Sequence, residues 1–428
     1  MTTTMKTSNF RAVFKRQRMG MASKGIAILP LLFLVFVTVP FAYSGSLIAT
    51  WDANTESDLA GYKLYYGAES NNYTKTIDVG DTTAYQVNNL AVGETYFFVV
   101  TAYDSSGNES APSTEVSAQV LTPRLHAVFT GTSIRLNWAP IQGADAYELY
   151  RSSNPFFTPS SPIERLEGTT TFTDPDYPTK PDSGRYYILK ALSSESVLHE
   201  YNEVGVFNIG LDKSANLVSL PLIPDDSTLS GIIGTQLTGS TQSALSDKIY
   251  IWNGESYEAA WLFEGGSGSL EGKWVNMQGT AESTSLIRPD QSFWIVLQST
   301  STDTILRVAG TVCADSQRVV TLAKGYNFIG TSFPAGMSLD ASELAKDGVV
   351  TGSNISALAD QIMTWKNATF EKAWLYEDGN SEMSGKWLEM SGVSVSPMSF
   401  LPGQGYILWI QNDNPKNEWS YPNPNSNN

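Results

Sequence analysis

The chain has 428 residues, of which 43 are acidic and 27 basic, and its formal net charge is −16. With 11% aromatic and 16% charged residues it has the composition of a folded chain, and its length predicts roughly two to four domains. The acidic balance excludes a nucleic-acid binder, because phosphate contacts need basic surface. The single cysteine, Cys313, excludes an intrachain disulfide, and two distant histidines disfavour a histidine-based zinc site.

The first 44 residues have the composition of a secretion signal. All six of their charged residues are basic and precede an apolar run at residues 26–41, which ends in Ala42-Tyr43-Ser44. We expect a signal peptide (1–44) that is cleaved before Gly45, and a mature protein that is secreted, periplasmic or on the cell surface without membrane insertion. The alternative is an N-terminal membrane anchor, although the run is short for a bilayer span and contains two prolines.

After this segment the sequence predicts short strands separated by Gly, Asn and Asp turns, which is an all-β pattern. Residues 45–120 carry Trp51 in an early strand, Tyr62 in the next, and Leu90 six residues before Tyr96. These residues resemble a fibronectin type III domain. The resemblance implies an immunoglobulin-like β-sandwich in which Tyr96 is the tyrosine corner, with its hydroxyl bonded to nearby backbone.

Residues 121–211 resemble a second copy of this domain. Tyr187 aligns with a core position of the first copy, but Arg185 stands where the first copy has its corner tyrosine. We therefore predict a second sandwich with a different contact at that corner.

The first sandwich has too few residues after the predicted cleavage site to form its first strand. Residues 47–51 would then form an open sheet edge, which can remain exposed, pair with a second copy or accept a strand from a partner. Ile48 and Thr50 are the candidate residues for docking at this edge.

The remainder of the chain is an internal duplication. Between residues 237 and 279, 20 of 43 positions are identical to the residues 113 positions later. We expect two mostly-β modules, 212–312 and 313–428, the second ending in a polar tail. They are similar to repeats that open with Asn-Leu-Val/Ile-Ser in uncharacterised secreted bacterial proteins, a resemblance that implies no activity.

Nine of the 11 tryptophans lie in the duplicated half. Aromatic faces stack on the C–H faces of sugars, so an exposed row of tryptophans would form a glycan site, whereas buried tryptophans would build the cores of small modules. Trp261 and Trp374 are the candidate ligand-binding residues, because each leads into a loop of glycine and acidic residues. Core packing is the alternative for both.

The loop after Trp374 is the weak candidate for a metal site. Asp378, Asn380 and Glu382 place oxygen atoms at alternate positions, as calcium-binding loops do. The equivalent loop of the first copy lacks most of the carboxylates, and the twelve-residue calcium-loop pattern is absent. We interpret the segment as a solvated turn and predict no metal and no cofactor.

No catalytic motif is present in the sequence. Neither His126 nor His199 lies in a hydrolase motif, and the four predicted modules leave no room for a separate catalytic domain. We predict a protein that is not an enzyme: a non-catalytic, secreted or cell-surface multi-module protein for binding, adhesion or scaffolding, with a protein or glycan at the cell surface as its partner. The first alternative is a carbohydrate-recognition protein of an extracellular polysaccharide-degrading system, and a weaker one is an enzyme in the duplicated half.

Overall fold

The computed structural model of the chain describes residues 44–194, 196–298, 304–412 and 416–425. The predicted signal peptide lies outside the described residues except for Ser44. The described strands form antiparallel sheets, which confirms the predicted all-β class. The described residues divide into two compact units, one with those up to 124 together with those in 140–145 and 191–199, and one with the remaining described residues.

The first sandwich has a two-stranded sheet, β1-β4, and a four-stranded sheet, β3-β2-β5-β6. Alternate residues of the strands point inward, and Trp51, Leu64 and Phe98 lie in the shared core. Its strands are β1 (Ser44–Thr50), β2 (Leu59–Gly67), β3 (Lys75–Gly80), β4 (Ala84–Ala91), β5 (Thr95–Asp104) and β6 (Val116–Gln119).

The tyrosine corner predicted in the first sandwich is present. The backbone N–H of Ala91 donates to the Tyr96 hydroxyl at 3.1 Å. This bond ties the start of β5 to the end of β4 and confirms the corner that the resemblance implied.

The second sandwich has a three-stranded sheet, β11-β8-β7, and a larger sheet that contains β10-β9-β12-β14. Its strands are β7 (Leu125–Phe129), β8 (Ile134–Trp138), β9 (Ala146–Ser152), β10 (Glu164–Leu166), β11 (Thr171–Asp174), β12 (Ser183–Ser193), β13 (Ser196–Glu200) and β14 (Val204–Leu211).

An arginine replaces the corner tyrosine in this second sandwich. Arg185 donates through Nε to the carbonyl oxygen of Asp176 at 3.3 Å and through Nη2 to the Asp176 carboxylate at 2.9 Å. The side chain thus still bonds to backbone upstream of its strand, as the tyrosine does in the first sandwich, and adds an ion pair.

The duplicated half consists of two five-stranded sheets with the same strand order, β15-β19-β16-β17-β18 and β22-β28-β24-β25-β26. The duplication in sequence is therefore a duplication of topology. The elements are β15 (Ala215–Ser219), α1 (Leu229–Ile232), β16 (Lys248–Trp252), β17 (Tyr257–Phe263), β18 (Lys273–Asn276), β19 (Ser292–Val296), β20 (Thr304–Thr311), β21 (Gln317–Thr321), β22 (Gly325–Ile329), β23 (Met337–Ser338), a 3-10 helix (Lys346–Gly348), β24 (Gln361–Lys366), β25 (Thr369–Tyr376), β26 (Lys386–Glu389), β27 (Ser399–Phe400), β28 (Tyr406–Ile410) and β29 (Glu418–Pro422).

The asparagine that opens each repeat closes a turn in front of its first strand. Asn216 accepts from the backbone N–H of Asp212 at 2.7 Å and donates to the carbonyl oxygen of the same residue at 2.9 Å. Asn327 makes the same two bonds to Ala323, both at 2.7 Å. An amide carries a donor and an acceptor side by side, which is what this paired contact requires.

β20 differs from the sequence expectation. It lies between the two repeats in the chain, yet it pairs along eight residues with β14 and extends the sheet of the second sandwich to β10-β9-β12-β14-β20. The physical reason is the composition of β14, in which seven of eight residues are buried. A strand buried on both faces lies inside a sheet and needs a neighbour on each side.

The two repeats meet at a contact with approximate two-fold character. The backbone N–H of Ser219 donates to the Gly403 carbonyl at 3.0 Å, and the equivalent Gly330 donates to the equivalent Asp290 at 3.0 Å. Apolar side chains of both sheets fill the space between these bonds: Leu217, Met363 and Ile407, with the partly buried Trp294, Phe328, Trp365 and Trp409.

Asp290 strengthens one half of this contact. Its φ is +67°, in the left-handed region, where the other repeat has Gly403 at +81°. The Asp290 carboxylate is buried and accepts from Arg318 Nη2 at 2.6 Å and from the Tyr421 hydroxyl. A side chain in a strained backbone position therefore joins β21 and β29 to the repeat junction.

We expect Asp290→Gly to destabilise the protein, although glycine relieves the left-handed backbone by about 1 kcal/mol. Loss of the carboxylate leaves Arg318 without a buried acceptor and leaves the hydroxyl proton of Tyr421 without one, although that hydroxyl still accepts from the Ser332 N–H at 3.2 Å. Each unpaired donor costs about 1–3 kcal/mol. Guanidinium unfolding at pH 7 measures the difference. Asp315→Asn is the matched control, because Asp315 is the exposed partner of Arg318 and its loss should change the free energy by less than about 0.5 kcal/mol. Equal effects of the two substitutions would contradict the assignment.

Candidate functional site

Trp261 and Trp374, the ligand-binding candidates from the sequence, are buried, each with 4% of its surface exposed. Each ring packs over a glycine that follows the next strand: a Cβ on Gly279 would lie 2.9 Å from Trp261, and one on Gly392 would lie 3.5 Å from Trp374. Trp374 also donates through Nε1 to the Glu389 carbonyl oxygen at 2.9 Å. The two rings occupy slots in the modules and are not exposed platforms, which corrects the choice made from the sequence.

Two other aromatic residues, Tyr257 and Tyr326, are exposed, and they lie beside partly buried rings at one rim of the repeat junction. Trp252 lies with its ring centroid 5.1 Å from Tyr257 and 5.9 Å from Phe328. Tyr326, on the outermost strand of its sheet, is 53% exposed and stacks on Trp409 at 6.0 Å with 24° between the ring planes. This rim therefore presents five aromatic rings from both repeats.

A cleft of about 230 Å³ opens at this rim. We call it the aromatic cleft and define it by six of the residues that line it: Trp252, Gln291, Lys324, Tyr326, Asn327 and Phe328. No carboxylate is among the described residues that line it.

Hydrogen bonds hold the two walls of the aromatic cleft in place. Trp252 donates through Nε1 to the Tyr326 carbonyl oxygen at 3.1 Å, and Gln291 donates through Nε2 to the Trp252 carbonyl oxygen at 3.0 Å. Burial raises the pKa of the neighbouring Tyr257, whose hydroxyl accepts from Trp294 Nε1 at 3.3 Å, so this phenol is neutral at physiological pH. The cleft is thus a fixed site with uncharged aromatic walls.

The opposite rim of the junction, formed by the residues of the second repeat that are equivalent to Trp252 and Tyr257, has a different aromatic set, and Trp294, which donates to Tyr257, connects the two rims. Trp365 lies 4.8 Å from Phe370 and 5.7 Å from Trp294, with each pair edge to face. At the positions equivalent to Tyr326 and Trp409, the first repeat has Ala215 and Val296, which pair in the same register. The stacked pair of the second repeat is therefore not needed to form the strand pair.

The weak calcium candidate is a self-contained turn. The Asp378 carboxylate accepts from the backbone N–H groups of Asn380 and Ser381 at 3.0 and 2.9 Å and from the Tyr376 hydroxyl at 2.8 Å. Those backbone bonds, followed by the tyrosine bond, hold the pKa of Asp378 well below its usual range. Within the described ranges, no three His, Cys, Asp or Glu side chains are grouped as metal ligands, Glu382 included.

At the edge of the first sandwich, β1 pairs with β4 and with no other described strand. The N–H of Trp51 donates to the Thr83 carbonyl at 3.0 Å. Since backbone groups alternate in direction along an antiparallel strand, the amides of Ile48 and Thr50 point away from β4. The geometry suits the docking role predicted for these two residues, which stays a prediction.

The duplicated carboxylates are structural. Asp247 accepts from the backbone N–H groups of Thr238 and Gln298 at 2.8 and 2.6 Å, and Asp360 does the same in the second repeat. Burial raises the pKa of Asp360 above its ordinary value. His126 contacts Asp225 at 2.7 Å on the surface, and His199 is buried.

The comparisons with known proteins support the first sandwich. Residues 37–119 match the family model described as "Fibronectin type III domain". The chain is therefore a multi-domain β protein that contains a fibronectin type III domain. The match begins within the predicted signal peptide and overlaps it at residues 37–44, whereas the assignment of residues 121–211 to the same family stays a prediction.

A two-domain fibronectin type III segment of chicken tenascin is similar to this chain at 17% identity, with 38% of this chain and 91% of that one covered and a TM-score of 0.18. A similarity at this score supports no argument on the arrangement of the domains. No curated protein matches the chain at a significant level. Among the described residues, no helix is long and apolar enough to cross a membrane.

The residues of the aromatic cleft were not found from the sequence. Trp252 and Tyr326 are 74 positions apart and meet only through the repeat junction. A comparison of the two copies could have indicated them. Tyr326 and Trp409 of the second repeat are aromatic, whereas the equivalent Ala215 and Val296 of the first repeat are small.

Glu203 is a buried carboxylate whose pKa affects the stability of the protein. Both of its carboxylate oxygens accept from the N–H of Phe156, at 3.0 and 3.1 Å. Phe156 has a φ of +56° and packs against the cores of both repeats. Burial raises the pKa of Glu203 to about 7.

We expect the stability of the protein to fall between about pH 4.5 and pH 7 because of Glu203. The folded state keeps the proton up to about pH 7, whereas the unfolded state releases it near its ordinary pKa of 4.5, so the folded state binds more protons over this range. Glu203→Gln should match the wild type at pH 4 and exceed it at pH 8, as measured by guanidinium unfolding at each pH. A constant difference across the range would contradict this.

Proposed function

We propose that the chain is a non-catalytic binding protein of the cell exterior, secreted or held at the cell surface. The chain contains β-sandwiches and a pair of repeats, and the aromatic cleft of the repeats binds a partner at the cell surface. The observation that supports this is the exposure of large aromatic side chains at one rim of the junction, where Tyr326 is 53% and Tyr257 46% exposed. Clustered exposed aromatic side chains mark interaction sites on soluble proteins, whereas single ones do not.

The repeat junction favours a binding role. The cleft walls come from two modules whose mutual position is fixed by paired backbone bonds, so little order has to be gained when a ligand binds. The buried carboxylates at Asp247, Asp360 and Asp290 are each used by backbone or side-chain donors. The acidic residues that are most buried in this half therefore serve the fold.

The location outside the cytoplasm depends on the N-terminal signal. We expect the mature N-terminus at or within a few residues of Gly45, because the small residues Ala42 and Ser44 follow the apolar run. Mass spectrometry of the protein isolated from its native cells identifies the terminus. A mature terminus at or before residue 37 would contradict this prediction and would retain the whole matched fibronectin type III segment.

Binding is tested with cell envelopes. We expect the labelled full-length mature chain to bind envelope fragments of its native cells, and Tyr326→Ala/Trp409→Val to weaken binding at least about tenfold, which corresponds to about 1.4 kcal/mol. This double variant carries the residues of the first repeat, so it should keep the strand pair, and thermal melting shows whether the loss of Trp409 from the repeat junction is tolerated. Phe370→Ala, an exposed aromatic on the opposite rim, is the control and should bind like the wild type. Wild-type protein that does not bind envelopes or medium components would contradict the proposed function.

A further inference from the structure

We infer that the aromatic cleft binds a neutral glycan, with one pyranose ring held between Tyr326 and Trp252. This inference rests on the proposed binding function and names its ligand. It places the site at residues other than Trp261 and Trp374, which are buried.

The exposed face of Tyr326 is the first reason. Trp409 stacks on this ring, and Tyr326 lies on β22, the outermost strand of its sheet. Tyr326 lines the cleft, whereas Trp409 does not. Tyr326 is thus a largely exposed ring at the cleft, and an exposed aromatic face packs well against the C–H face of a sugar ring.

The second reason is the comparison between the two repeats. Ala215 and Val296 form the same strand pair in the first repeat without any ring. The second repeat leaves a tyrosine more than half exposed at that position, although small residues are sufficient for the fold. The strand pair therefore does not require the exposed ring of Tyr326, and this ring lies at the cleft.

The chemistry of the lining identifies the ligand class. Three of the lining residues, Trp252, Tyr326 and Phe328, are aromatic, and Gln291 contributes an amide, whereas the Asn327 amide is used in its turn with Ala323. Lys324 is the one charged residue among the described residues that line the cleft. Neutral amides and aromatic faces suit hydroxyl groups on an apolar ring.

The size of the cleft favours a sugar over an extended peptide. About 230 Å³ is below the roughly 300–1,000 Å³ of pockets that enclose drug-sized ligands, and it suits a single ring of a longer chain. A proline-rich peptide also binds to aromatic surfaces, but it needs a groove that continues over several residues. A localised cleft at one point of the rim fits a pyranose better.

Affinity electrophoresis tests the inference with five soluble neutral polysaccharides: β-glucan, xylan, mannan, galactan and amylopectin. We expect at least one of them to retard the full-length mature chain, and Tyr326→Ala/Trp409→Val to raise the dissociation constant at least about tenfold. Phe370→Ala should behave like the wild type. Near-UV circular dichroism and thermal melting of each variant show that the fold is kept. If none of the five retards the wild type, or if the double variant is retarded equally, the inference is overturned.

Treatment of envelope fragments separates this inference from the proposed function. Periodate cleaves the vicinal diols of sugars, whereas protease digestion removes polypeptides. Binding that is lost after periodate and kept after protease supports the glycan. If protease removes the binding and periodate does not, while the double variant still binds weakly, the proposed function stands, the partner is a protein and the glycan inference fails.

Discussion

At the junction of the two repeats, a residue of one copy contacts the residue at the equivalent position of the other copy. This contact leaves room for only one side chain at some positions, so the two copies differ in sequence there. Ser219 meets its counterpart Gly330, and a Cβ on that glycine would lie 2.2 Å from the serine Cβ. Ser292 meets its counterpart Gly405 in the same way, at 2.7 Å. Two serines do not fit at either point, so one copy keeps the side chain and the other gives it up. Asp290 and Gly403 are a third such pair of equivalent positions. Here the backbone is left-handed and favours glycine, but the first repeat has an aspartate whose carboxylate binds Arg318 and Tyr421.

The same junction creates the aromatic cleft. Trp252 and Tyr326 belong to different repeats and come together only because the two sheets pack on one another. Strict two-fold symmetry would give two equal clefts, but the stacked ring pair is present in one repeat and replaced by Ala215 and Val296 in the other. The two rims therefore differ in their aromatic residues, and the rim without the stacked pair is an internal control for the proposed binding role of the other.

Local patterns predicted the all-β class, the corner at Tyr96 and the duplication, because each depends on residues close in sequence or on a repeated pattern. Exposure was harder to predict. Trp261 and Trp374 precede polar loops, yet Gly279 and Gly392 provide slots that bury them, and such a slot is visible only once the strands are paired. The pairing of β20 with β14 was missed because the apolar character of β14 fits the end of a sandwich as well as a central strand. The cleft depends on contacts over 74 positions, which the spacing of the residues does not reveal.

The pairing of β14 with β20 also determines when the second sandwich can be completed. Leu211 ends β14 and Thr304 begins β20, so 93 positions separate the two ends that pair. At a synthesis rate of about 5–20 residues per second, the sandwich waits roughly 5–20 s for its last strand, while the whole first repeat emerges. During that time β14 has an open apolar edge, which is a hazard for misassembly. The first repeat is therefore synthesised before the last strand of the sandwich that precedes it in the chain.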